Sequence, residues 1–140
     1  GWGRVITEEV IPWAEANAPV VPGRWGIDGI SLGGGISSVI GFRNPDTFRS
    51  IGSLQGAVTK KRRPAVERAV KARADWSATA IQIVTSRRDG FRPALTDLHK
   101  WLDKQGVRHT FEVTPGRHDK AFVRGPGALR MLIFHDRALR

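Results

Sequence analysis

Gly29-Ile30-Ser31-Leu32-Gly33 is a G-x-S-x-G pentapeptide set between a short apolar run and a stretch of small residues that can start a helix. A serine used as a nucleophile must stand clear of the backbone on a very tight turn. Glycine is therefore expected on both sides, at Gly29 and Gly33, where a Cβ would meet neighbouring chain. The same turn aims the backbone N–H of Leu32 at the place where an oxyanion would form. With 16 Gly among 140 residues, such a pattern can arise by chance, so its surroundings carry the argument. A serine hydroxyl also needs a general base, and that base needs an acid to hold its tautomer. His118, in Thr114-Pro115-Gly116-Arg117-His118-Asp119, and Asp89, in Thr85-Ser86-Arg87-Arg88-Asp89-Gly90, complete the chain order Ser, Asp, His. Asp119 competes with Asp89 as the acid, and Asp89 before Gly90 also reads as a turn residue. His99, His109 and His135 are poorer bases, since each falls in or beside a helix or strand.

These three residues lie far apart in sequence, and a framework must gather them. Val5, Ile6, Val10, Trp13 and Ala14 recur at helical spacing in a first helix that should cover a sheet face, with Pro12 either kinking it or sitting where its lost donor is tolerated. Arg24 to Asp28 alternates as a short strand, and Gly34 to Phe42 can form a helix that Pro45 stops at Asn44. Phe48 and Ser50 to Leu54 read as a buried strand, Pro64 to Trp76 as a surface helix with a thin apolar stripe, and Ala80 to Thr85 as the clearest strand. Leu95, Leu98, Trp101 and Leu102 mark one face of a helix that Gly106 ends. Thr110 to Val113 alternates as a last strand, and Ala128 to Leu139 closes the chain as a helix. Trp13, Trp25 and Trp101 fall on expected core faces. Regular alternation of this kind predicts right-handed crossovers and about four parallel strands with helices on both faces. All strand C-termini then share one edge, which brings the loops carrying Ser31, Asp89 and His118 together.

Certain stretches make a family resemblance specific. They are Glu9 to Trp13, Gly23 to Gly34 through the pentapeptide, Asn44-Pro45-Asp46-Thr47-Phe48, Gly52 to Gly56, and Pro115-Gly116-Arg117-His118-Asp119. Across nearly all 140 residues the chain resembles the C-terminal part of the esterase D, feruloyl esterase and mycolyltransferase-like group of α/β-hydrolases. The resemblance implies a serine esterase, with Ser31 as nucleophile, Asp89 as acid, His118 as base and the Leu32 N–H as one oxyanion donor. It implies hydrolysis of a small-molecule carboxylic ester through an acyl-enzyme. An acyltransferase, or a catalytically incomplete scaffold, would share the same pattern. Members of the group carry a further N-terminal half that supplies the second oxyanion donor, so residues 1–140 read as a single, N-terminally truncated domain. A partner chain or that segment is expected to cover the exposed sheet edge. Leu32 stands where Met is more usual, and Gln55 where the group often has Ser.

Bulk properties narrow the partners. Hydrophobic residues make up 40% and charged residues 26% of the chain, an ordinary globular balance. No apolar run is long enough for a membrane span, and no signal peptide is visible ahead of the opening Gly1-Trp2-Gly3. The absence of cysteine leaves the redox compartment, cytoplasmic or secreted, undetermined. The net charge of +10 raises nucleic acid as a partner, yet no recognition motif accompanies it, and Lys60-Lys61-Arg62-Arg63 reads as a solvated loop ahead of a helix. No cofactor is expected, because Gly33-Gly34-Gly35 belongs to no G-x-G-x-x-G or P-loop. No metal is expected either, since no two His share helical ligand spacing with a third ligand, and His135-Asp136 reads as surface chemistry.

Overall fold

In the computed structural model, which describes residues 1–140, four strands pair in parallel in the order β1-β2-β3-β4. They are β1 (Trp25–Ile27), β2 (Phe48–Leu54), β3 (Ala80–Arg88) and β4 (Thr110–Arg117). The helices are α1 (Trp2–Val5), α2 (Ile11–Asn17), α3 (Leu32–Arg43), α4 (Arg63–Lys71), α5 (Arg92–Lys104), the single turn α6 (Lys120–Phe122) and α7 (Ala128–Leu139). A five-residue π stretch, Ile6–Val10, joins α1 to α2. Pro12 is the second residue of α2, directly after the π stretch, so its missing N–H falls where the helix changes its bonding register.

Successive residues of a strand point to opposite faces, and the two faces here are filled very differently. Ile81 and Ile83 of β3 join Leu95, Leu98 and Leu102 of α5, Val66 and Val70 of α4, and Ile40 and Phe42 of α3 in a core of 15 buried residues. Val84 points the other way, into a cluster of three with Leu54 and Phe122, against which Ile30 and Met131 pack. On that second face α7 lies across β1 and β2, with Leu129, Leu132 and Ile133 exposed. α3 shows no apolar stripe because Gly34, Gly35, Ser37 and Ser38 are all buried, small enough to let the helix lie close on β2.

Two strands run further than their apolar pattern. β3 continues through Arg87 and Arg88, and β4 through Arg117, because Arg88 still pairs with Arg117 past a register irregularity at Ser86. The hydrophobic signal stops where these side chains meet solvent, while the backbone ladder goes on. Trp13 also departs from expectation: it is 65% exposed, since the only buried residue of α2 is Ile11. Trp25 is half-buried and donates its indole N–H to Glu15 Oε1 at 2.8 Å, and Trp101 is half-buried beneath the Arg63 guanidinium at 5.3 Å. Trp76 is buried edge-on to Phe42, with ring centroids 5.2 Å apart.

Candidate active site at the C-terminal edge of the sheet

The end of β1 leads straight into the pentapeptide. Ile30 bridges to Leu54, with the Ser31 N–H donating to Leu54 O at 3.0 Å and the Leu54 N–H to Gly29 O at 3.0 Å. Ser31 then takes φ 55° and ψ −118°, a conformation that costs an L-residue on the order of 1–3 kcal/mol and persists only where surrounding bonds dictate it. Its carbonyl accepts from the N–H groups of Gly35 at 3.1 Å and Ala57 at 2.8 Å, so the turn is held from three sides. A Cβ on Gly29 would lie 2.4 Å from the Gly33 carbonyl carbon, which makes glycine obligatory there. At Gly33 a Cβ would meet nothing within 4 Å, so the expected demand for glycine on both sides falls on Gly29 alone. Leu32 opens α3, where its backbone N–H has no partner within the helix.

Asp89 follows β3 directly and its side chain is fully enclosed. Its Oδ2 accepts the Thr85 hydroxyl at 2.6 Å, and its Oδ1 accepts the Phe91 N–H at 3.0 Å and His118 Nδ1 at 2.9 Å. Because a carboxylate only accepts, Nδ1 of His118 must carry the proton, leaving the Nε2 lone pair free to accept another. The imidazole lies edge-on to Phe91 at 5.5 Å, and its side chain is 31% exposed. Asp119 is engaged elsewhere, capping α6 by accepting the Phe122 N–H at 2.8 Å. The arrangement can therefore hold a neutral imidazole in one tautomer at the edge where Ser31 stands. Ser31 makes no side-chain hydrogen bond to His118. Arg87, Arg88 and Arg117 are exposed on the residues flanking Asp89 and His118, giving this rim a positive potential.

Gln55, which stands where the resembled group often has Ser, is one further part of this edge. It sits at φ 48°, fully buried, and its amide nitrogen donates to Ser86 Oγ at 2.8 Å and Arg117 O at 2.9 Å. It thus ties the ends of β2, β3 and β4 together beneath the loops that carry Asp89 and His118. Thr85 is the other, and its only sequence signal is a hydroxyl in an apolar strand.

A second Ser, His, Asp set occupies the poorly filled face. Ser50 Oγ lies 2.7 Å from His135 Nδ1, and His135 Nε2 lies 2.9 Å from Asp28 Oδ2. His135 therefore docks α7 onto the sheet instead of lying on the surface, and it enters a hollow over Gly26, where a Cβ would come within 2.5 Å of its ring. A cavity of about 650 Å³ opens between α1 and α3, but it is lined by Trp2, Ile36, Val39 and Arg43 and none of the edge residues.

The four parallel strands, the strained serine turn and the helices on both faces define the α/β-hydrolase fold. The chain matches the model of the Putative esterase family over residues 1–121, and it belongs to that family. No curated protein matches it by sequence. Among solved structures it is similar to a ferulic acid esterase at 20% identity and TM-score 0.84, over 98% of this chain and 61% of that one. It is similar to S-formylglutathione hydrolase from Staphylococcus aureus at 17% identity and TM-score 0.78, over 96% and 62%. The enterobactin esterase from Shigella flexneri, solved with enterobactin, gives 22% identity and TM-score 0.76, over 99% and 37%. The chain thus spans about three fifths or less of the length of these structures. No helix is long and apolar enough to cross a membrane.

Proposed function

We propose that the chain carries the catalytic triad of a serine-dependent carboxylic ester hydrolase, with Ser31 as nucleophile, His118 as general base and Asp89 as the acid that orients it. The observation that carries this reading is the Asp89–His118 hydrogen bond of 2.9 Å at the sheet edge where Ser31 stands on its strained turn. Ser31 Oγ attacks the ester carbonyl while His118 Nε2 takes its proton. The tetrahedral oxyanion rests on the Leu32 N–H, the alcohol leaves with the proton returned by His118, and water attacks the acyl-enzyme by the same route. Membership of an esterase family supports the reaction class. Residues 1–140 act in this reading as one unit, the nucleophile-bearing part of the hydrolase fold.

The structurally similar enzymes are named for ferulic acid, S-formylglutathione and enterobactin, and small-molecule esters are accordingly the proposed substrates. The basic rim of Arg87, Arg88 and Arg117 favours an anionic ester. A fluorophosphonate probe tests the assignment: it is expected to label Ser31 in the folded chain and to fail in Ser31→Ala and His118→Ala. Absence of labelling in the folded wild-type chain would overturn the assignment for this chain and favour an inactive scaffold.

A further inference from the structure

The opposite end of the sheet carries a cluster that the ester chemistry does not use. α5 ends at Gly106, whose φ of +70° reverses the chain, and the Val107 N–H returns to Leu102 O at 3.0 Å. Val107 is thereby buried, and His109 arrives at the entry to β4 beside the last turns of α5. His99 and Asp103, four residues apart on that helix, meet it there. His99 Nδ1 lies 2.8 Å from His109 Nε2, His99 Nε2 lies 3.6 Å from Asp103 Oδ2, and His109 Nε2 lies 3.9 Å from Asp103 Oδ1.

The protons of this cluster can be placed. His109 Nδ1 lies 2.7 Å from the Val107 carbonyl, so it carries a proton and Nε2 presents a lone pair. The proton between the two rings then belongs to His99 Nδ1. His99 Nε2, on the far side of that ring, faces the Asp103 carboxylate. Each of the three residues thus offers a ligand atom, and these atoms all lie within 4.8 Å of one another.

We propose that His99, Asp103 and His109 bind one borderline divalent transition-metal ion, for which zinc is the probe. Two imidazoles and one carboxylate suit zinc, copper or nickel, whereas calcium and magnesium take oxygen ligands. Metal–ligand bonds of about 2.0–2.2 Å place neighbouring donors of a tetrahedron roughly 3.4 Å apart. The separations of 3.6 and 3.9 Å run to the two different Asp103 oxygens, and that side chain, 61% exposed, can swing to bring one of them to the ion. His99 turns in its plane against Phe111, on which it stacks at 4.4 Å, so that its Nε2 and the Nε2 of His109 face the ion while His99 Nδ1 keeps its proton. The Val107 carbonyl already fixes the His109 tautomer, as outer hydrogen bonds do for metal-bound imidazoles. Water fills the fourth position on the exposed side. The ion staples the end of α5 to the start of β4. The sequence pattern conceals this set because its helical pair is His and Asp, and the third ligand comes from across a turn.

The test uses the untagged 140-residue chain, freed of metal and titrated with Zn²⁺ by calorimetry and with Co²⁺ by visible absorption. One ion per chain is expected, with Co²⁺ bands of a tetrahedral or five-coordinate centre and a Tm that rises with free zinc. Asp103→Asn and His99→Ala, both at partly exposed positions, should each weaken binding at least about tenfold while the chain stays folded by circular dichroism. No zinc uptake by the folded wild-type chain would overturn the site, as would undiminished uptake in both variants.

Discussion

The chain holds two sets of serine, histidine and aspartate, and they are built for different ends. In one, Ser31 stands on a turn at φ 55° and His118 donates its Nδ1–H in a hydrogen bond to Asp89, keeping Nε2 free. In the other, Ser50 is fully buried in the middle of β2, and both nitrogens of His135 are occupied, one by Ser50 and one by Asp28. The residue types are the same. What separates a candidate for chemistry from a structural latch is a strained backbone beneath the serine and an unoccupied ring nitrogen.

The comparison can be broken most severely at the acid. Asp89→Asn should lower kcat for an activated ester by about three to four orders of magnitude, because His118 loses the partner that fixes its tautomer. Asp28→Asn, the matching change in the latch, should leave kcat within a few-fold, and the same ester assay reads both. A smaller effect is expected at the turn. Gly29→Ala drives a Cβ into the Gly33 carbonyl and should cost roughly 1–3 kcal/mol, whereas Gly33→Ala should keep the wild-type Tm. Denaturant unfolding separates these two, and equal losses would refute the one-sided steric account.

Next comes His135→Ala, which strands the Ser50 hydroxyl and the Asp28 carboxylate together. A stability loss of about 1–3 kcal/mol is expected, with fluorophosphonate labelling of Ser31 retained. Ser50→Ala should have the smallest effect, on the order of 1 kcal/mol in the same unfolding experiment. Loss of labelling in either variant would mean that the latch serves the reaction and that the two sets are not separate.

Much of the architecture was legible in residue order. Ser31, Asp89 and His118 each follow a strand, and parallel pairing carries all three loops to one edge. The Asp89–His118 contact is a consequence of topology that spacing alone could suggest. The latch and the His99–Asp103–His109 cluster were not legible, because they join residues across separate elements and depend on side-chain direction. His135 read as a surface residue since nothing in the sequence reveals the hollow at Gly26 into which it fits. Trp13 misled for the opposite reason: helical spacing marks an apolar face but does not say that anything lies against it. The strand ends at Arg88 and Arg117 were missed because periodicity reports burial, whereas the ladder needs only backbone.

The spatial order of the strands repeats their order along the chain. During synthesis each new strand therefore emerges to find its neighbour already made, and the sheet can grow one βα unit at a time. α7 breaks this sequence furthest, since His135 reaches back across 107 positions to Asp28. Its docking should be the last event of folding. Stopped-flow measurements on His135→Ala are expected to show faster unfolding with an unchanged folding rate. The latch would then act as a late lock on a sheet assembled without it.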